Sequence, residues 1–344
     1  MVHKNGINIK DENLYDNIKT TLSRAREKAY KAVNFAIVDA YWNIGRMIVE
    51  EEQNGTDRAN YGDYIIKYLS EKLTKDFGKG FSTTNLKYMR RFYNAFSISQ
   101  TLSDQLSWSH YLLLSKIDET QKRKFYFEEA ISANWSVREL DRQIASLLFE
   151  RLSLSKDKKS ILQLANEGHK ISKPEDLVKD PYVLEFLGLK QNSAFYEKNL
   201  EDALIEHLQE FLLELGKGFC FVSRQQRITL DGEHYFIDLV FYNRIAKCFV
   251  LIDLKIGKLT HQDIGQMQMY TNYYKRNEMM DGENEPIGIL LCSEKNEAVV
   301  KYTLPEGQKQ IFASKYKIYL PSEEELKEEL IKERDIIEIQ KKIK

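Results

Sequence analysis

The strongest constraint on the fold is a pair of hydrophobic runs that follow one another late in the chain, HYFIDLVFYN and CFVLIDLKIG. Each is predicted as a strand, and each carries an acid near its end: Asp238 in the first, Asp253 in the second, with Lys255 two positions on. Residues i and i+2 of a strand project from one face, so Asp253 and Lys255 point into the same cleft, and Asp238 joins them if the runs pair as neighbours. Setting two carboxylates and an ammonium among Phe236, Val240, Phe249 and Leu251 costs roughly several kcal/mol unless each charge finds a partner. A bound divalent cation is an efficient partner. The two acids and the backbone carbonyl of Leu254 are hard oxygen donors, which suit Mg²⁺ or Mn²⁺ rather than zinc.

The chemistry this arrangement fits is phosphodiester hydrolysis. Lys255 beside the cation would orient or help deprotonate an attacking water, while the cation neutralises charge growing on the phosphate. A D-x-K alone occurs by chance as a strand-end ion pair. Here an acid precedes it on the neighbouring strand, an acidic amphipathic helix lies upstream, and the helix that follows carries Gln262, Gln266 and Tyr270 at i, i+4 spacing. Glu206 on the upstream helix is the candidate third carboxylate, in competition with Glu201, Glu210 and Glu214.

With 344 residues, 42% of them hydrophobic and 30% charged, the chain has room for two cores and a heavily charged surface. No apolar run has the length of a membrane span, and the N-terminal segment lacks the basic-then-apolar layout of a signal peptide, so a cytoplasmic protein with no membrane association is expected. Cys220, Cys248 and Cys292 sit inside apolar runs without metal-ligand spacing, which argues against zinc and against a disulfide framework. A formal net charge of −1 gives no global attraction to nucleic acid, so polyanion binding needs local basic patches.

Residues 1–155 are predicted to form a helical N-terminal domain. Its segment FSTTNLKYMRRFYNAF, capped by Ser82 or Thr83, displays Lys87, Arg90 and Arg91 among aromatics after a glycine turn, the outline of a helix-turn-helix. Trp108, His110, Tyr111 and Trp135 are expected to be core. Residues 156–196 are a connector. From 197 to 320 the order is αβββαβ with a turn at Asp231-Gly232, and 321–344 is a charged helix with Leu326, Leu330 and Ile337 on an approximate heptad. The fold class is therefore two-domain, α plus α/β with a mixed sheet.

The stretch from FLLELGKGFCF to HQDIGQMQMY resembles the PD-(D/E)XK nuclease domain of the YhcG-like family, and YWNIGRMIVE, LSWSHYLLL and NWSVRELDRQI resemble that family's helical N-terminal domain. The resemblance implies a restriction-endonuclease-like αβββαβ core, divalent-metal-dependent cleavage of nucleic acid, and a helical domain that binds DNA or a partner. It makes Asp238 the first acid of the motif, Asp253 and Lys255 its second acid and lysine, and Gln266 the glutamine of the following helix. Relatives commonly carry glutamate where this chain has Asp253, a carboxylate one methylene shorter.

The leading expectation is a metal-dependent DNA endonuclease in genome defence or DNA repair and recombination, with phosphate contacts from Arg224, Lys258, Lys275 and Arg276 and from the helical domain's Lys87, Arg90 and Arg91. The rival is a non-catalytic DNA-binding or assembly protein that keeps the nuclease fold. The expected partners are DNA, a second copy of the chain by analogy with nucleases that pair subunits to cut two strands, and a protein engaged through the helical domain or the C-terminal helix.

Overall fold

A computed structural model describes residues 9–54, 61–96, 102–153, 158–189, 197–295, 297–305, 307–326 and 328. The chain divides into two compact units between Leu140 and Asp141.

The first unit is helical: α1 (Ile9–Asn54), α2 (Tyr61–Phe77), α3 (Thr83–Ala95), α4 (Trp108–Leu114), α5 (Thr120–Ser132) and the start of α6 (Val137–Ala145). Ser82 caps α3, its hydroxyl accepting from the Asn85 amide at 3.3 Å. Leu86, Met89 and Phe92 recur every three residues along α3 and are fully buried, Leu86 and Met89 against Ile48 of α1 and Ile66 of α2. The α1–α3 crossing is close because Gly45 has no side chain: a Cβ there would lie 2.1 Å from the Met89 carbonyl oxygen. Phe92 packs on Trp108 and Tyr111, and His110 is buried between Ser107 and the Trp135 carbonyl, so the aromatic set expected in the core is there.

The second unit contains α7 (Leu148–Ser153), α8 (Lys158–Glu167), β1 (Tyr182–Val183), α9 (Glu197–Glu206), α10 (Leu208–Leu215), β2 (Phe219–Leu230), β3 (Glu233–Asn243), β4 (Cys248–Lys258), α11 (His261–Asn277), β5 (Ile287–Glu294), α12 (Glu297–Thr303) and β6 (Ile311–Lys317). The six strands form one mixed sheet in the order β1-β6-β5-β4-β3-β2. Strands β2, β3 and β4 are an antiparallel meander, whose first turn is Asp231-Gly232, both at positive φ as a two-residue hairpin requires. Helix α11 then crosses over so that β5 runs parallel to β4. The αβββαβ order is therefore present, extended by β6 and by β1 from the expected connector.

Alternation along the strands feeds two cores. Leu239, Phe241, Val250, Ile252 and Leu254 pack beneath Leu200, Leu204, Phe211 and Leu215 of α9 and α10. Val240, Leu251, Leu290 and Cys292 face the other way, onto Ile264, Met267, Tyr270 and Tyr274 of α11. With both sides covered, β4 and β5 need apolar residues at nearly every position, which is why they appear as unbroken hydrophobic runs.

The expected boundary near 155 differs from the division after Leu140. Arg142 and Arg151 account for the difference: both pair with Glu214 of α10, inside the second unit. The C-terminal heptad positions Leu330 and Ile337 lie outside the described residues. Among the described residues, no helix is long and apolar enough to cross a membrane.

Candidate active site

Asp238 and Asp253 meet where β3 and β4 part. The ladder between these strands runs from Asn243↔Cys248 to Leu239↔Ile252 and stops. The next positions across are Asp238 and Asp253, and like charges set opposite one another oppose pairing. Beyond this fork β3 continues on β2 and β4 continues on β5. The opening is bridged by the Leu254 amide, which donates to Asp238 Oδ2 at 2.8 Å.

Asp253 is 2% exposed. Burial and the neighbouring Asp238 carboxylate push its carboxyl up, to about 7, against the opposing pull of Lys255. Lys255 Nζ lies 2.9 Å from Asp253 Oδ2 and 3.9 Å from Asp263 Oδ1, the acid that closes the capping box at the start of α11. The buried Asp253 Oδ2 is held by its ion pair with Lys255. The pair D-x-K thus faces α11, as i, i+2 spacing requires. Gln266 on that helix donates to the Tyr270 hydroxyl, which in turn donates to the Phe236 carbonyl at 2.8 Å.

Of the candidate glutamates on α9 it is Glu201, not Glu206, that lies beside Asp238, linked to it through Gln225. Glu206 is exposed at the last position of α9. At about 100° per residue it falls roughly 200° around the helix from the buried Leu204, while Glu201 stays beside Leu200 and Leu204 on the inner side. Glu201 is 4% exposed, and burial raises its pKa. Its Oε2 accepts from Gln225 Nε2 at 2.6 Å, and the same amide nitrogen donates to Asp238 Oδ1 at 3.0 Å. Its Oε1 is buried without an aligned donor, 3.2 Å from Arg224 Nε. A periodicity argument on α9 finds Glu201; nothing in the local sequence marks Gln225, which stands at φ 47° inside β2.

The expected phosphate-binding cations are more engaged than their sequence context indicated. Arg224 pairs with Asp202 as well as Glu201, so it serves the acids of α9 first. Lys275 pairs with Glu285. Lys258, at the end of β4, is exposed. In the helical unit Lys87 faces Asp63 at 3.3 Å, Arg90 faces Glu52 at 2.6 Å, and Arg91 faces Asp118 at 3.1 Å. The Lys87 and Arg91 pairs are solvent-exposed and worth about 0–1 kcal/mol, which leaves these cations able to exchange partners, whereas the Arg90–Glu52 pair is partly enclosed.

The residues fit a hard divalent cation: every side-chain donor is a carboxylate oxygen, and Asp253 and Glu201 are buried acids whose pKa burial raises even with Lys255 and Arg224 beside them. Among the described residues no three His, Cys, Asp or Glu side chains are arranged as a ready cation cage. The donor set needs backbone carbonyls or water to complete it.

A mixed sheet flanked by helices, with an acid on one central strand and D-x-K on the next, is the restriction-endonuclease-like arrangement of PDDEXK nucleases. Residues 175–331 match the YhcG PDDEXK nuclease domain, and residues 17–151 match the DUF1016 N-terminal domain. The chain is 38% identical over 359 residues to "Putative nuclease YhcG" of Escherichia coli (strain K12), covering 95% of both chains. It belongs to the YhcG family and carries that family's PDDEXK nuclease domain. Among solved structures it is similar to a repair endonuclease from Pyrococcus abyssi, at 18% identity and TM-score 0.27 over 38% of this chain and 50% of that one. A structure titled "Structure of EndoMS-dsDNA2 complex" aligns at 12% identity and TM-score 0.28, over 39% and 50%. The chain spans about half the length of these two structures.

Proposed function

We propose that this protein is a divalent-metal-dependent endonuclease that hydrolyses DNA phosphodiester bonds in genome defence or DNA repair and recombination. The observation that carries the reading is the fork between β3 and β4, which brings Asp238 beside a buried Asp253 with Lys255 in ion-pair contact. A protein that needed these positions only for stability would gain more from apolar residues there, because burying like charges together is costly. The nuclease chemistry is assigned to 197–320, and DNA or partner binding to the helical region 1–155.

Asp238, Asp253 and the Leu254 carbonyl would hold Mg²⁺ or Mn²⁺, which when bound supplies charge neutralisation at the phosphate and lowers the pKa of water. Lys255, in ion-pair contact with Asp253, faces the scissile phosphate or orients its attacking water. Gln266 and Tyr270 fix the α11 wall of the cleft through their hydrogen bonds. Lys258, exposed at the end of β4, is the candidate for a phosphate further along the strand, and Lys87 and Arg91 are candidates for the same role on the helical domain. Such contacts set affinity rather than sequence preference.

The test is cleavage of linear, branched, single-stranded and methylated DNA by the full chain with Mg²⁺ or Mn²⁺, alongside Asp253→Ala and Lys255→Ala. Cutting that needs the cation and disappears in both variants, with DNA binding largely retained, is the expected result. DNA binding without cutting under every condition, unaffected by Asp253→Ala, would overturn the reading in favour of a binding or assembly role.

A further inference from the structure

The residue between the acids of α9 and β3 is a glutamine in an unusual place. In the β2–β3 register Arg224 lies opposite Leu239 and Gln226 opposite Ile237, so Gln225 falls opposite Asp238. Its φ of 47° puts a non-glycine residue in the left-handed region inside a twelve-residue strand. Such a conformation is disfavoured for L side chains and persists where surrounding contacts fix it. Those contacts come from its side chain: one amide nitrogen donates at 2.6 Å to Glu201 Oε2 and at 3.0 Å to Asp238 Oδ1.

That amide does what a cation does. Glu201, Asp238 and Asp253 come from three different elements, and their mutual repulsion needs positive charge or donated protons between them. Asp253 has Lys255, and the far oxygen of Glu201 has Arg224. The remaining gap, between Glu201 Oε2 and Asp238 Oδ1, is filled by the Gln225 N–H bonds. The orientation of the amide follows from this setting, because turning it over would aim its carbonyl oxygen at two carboxylates.

We propose that Gln225 is a positioning residue that competes with the metal: its carboxamide holds Glu201 and Asp238 together, and a divalent cation that engages the same oxygens must displace it. The inference rests on the metal-dependent reading of this site and adds to it a residue that competes with the cation and a further carboxylate, Glu201, that the cation recruits. The same contacts that hold the two carboxylates therefore weaken cation binding.

The experiment is titration of the full chain with Mn²⁺ and with Ca²⁺ in the absence of DNA, followed by calorimetry and by thermal melting, for wild type, Gln225→Ala, Gln225→Gly and Asp253→Ala. Gln225→Gly accepts the left-handed backbone without strain, so it removes the amide while protecting the fold. Both Gln225 variants are expected to bind cation tighter by roughly tenfold, the order of one hydrogen bond to a charged group no longer displaced. Adding Glu201→Gln to either is expected to shrink that gain, which a purely structural role for Gln225 would leave unchanged. Wild-type binding that is unchanged or weakened in both Gln225 variants would overturn the proposal alone. No cation response in wild type, or a response that Asp253→Ala leaves unchanged, would overturn the metal-dependent reading, and the proposal with it.

Discussion

Asp253 is the residue on which the site's chemistry turns, because its carboxyl is raised to about 7 by burial and by Asp238 while a cation ligand must be ionised. The raised pKa means that Asp253 takes up a proton more readily in the fold than in the unfolded chain. The linked stability is present below the unfolded value near 3.8 and is lost as pH rises towards 7. Binding a cation runs the other way, expelling that proton. Mn²⁺ affinity measured by calorimetry is therefore expected to fall by about tenfold per pH unit below 7 and to level off above it, with proton release seen as a buffer-dependent enthalpy. Affinity that stays flat between pH 5.5 and 8 would show that Asp253 is already ionised. The D-x-K spacing and the acid before it were legible in the sequence because i, i+2 periodicity is a property of any strand. Glu201 was open among four glutamates, since choosing between them needs the inner side of α9. Gln225 had no local signal, because a left-handed residue in a strand is fixed by contacts with α9 and β3 rather than by its neighbours in sequence.

At the scale of elements, the strands were readable and the surroundings of α3 were not. Asp231-Gly232 announces a hairpin, and the unbroken apolar runs of β4 and β5 follow from having helices on both sides. The basic appearance of α3, by contrast, is offset by Glu52, Asp63 and Asp118, which come from other segments of the chain. No inspection of FSTTNLKYMRRFYNAF brings those acids into view. What fixes α3 is its crossing with α1 at Gly45. A Cβ at Gly45 meets the Met89 backbone carbonyl, which cannot rotate away, whereas a Cβ at Gly288 meets side chains, Sδ and Cγ of the buried Met267 and Cγ2 of Thr271. Gly45→Ala is expected to destabilise the helical unit by about 1–3 kcal/mol through overpacking, read as a lowered urea midpoint. Gly288→Ala should cost less. Equal or reversed losses would mean that the α1–α3 crossing is looser than the Gly45 geometry requires.

The whole molecule divides where charge, rather than composition, draws the line. Residues 141–153 continue the helical texture of the first 140, and the DUF1016 N-terminal match runs to 151. Yet Arg142 and Arg151 are committed to Glu214 of α10, which is fully enclosed: Arg151 Nη1 lies 2.5 Å from Glu214 Oε1 and Arg142 Nη1 3.4 Å from Oε2, with Arg142 also forked onto Glu185. Burial by itself would raise the Glu214 carboxyl, but Arg151, Lys179 and Arg142 together outweigh it and hold the pKa at about 2. A depressed acid stabilises the fold above its unfolded value near 4.5, and that contribution drains away as pH falls from there towards 2. Glu214→Gln leaves Arg151 buried without its counter-charge and is expected to cost about 3–5 kcal/mol at neutral pH, with the variant's deficit narrowing as pH is lowered through that window. The same logic sets where the chain can be cut. A fragment beginning at Ser136, which keeps the Ser136–Glu139 cap of α6, retains both arginines; one beginning at 156 strands Glu214 without either. Cooperative thermal unfolding is expected for residues 136–344 and its loss for 156–344. If the shorter fragment melted as sharply and at the same temperature, the Glu214 network would be dispensable and the boundary would belong near 155 after all.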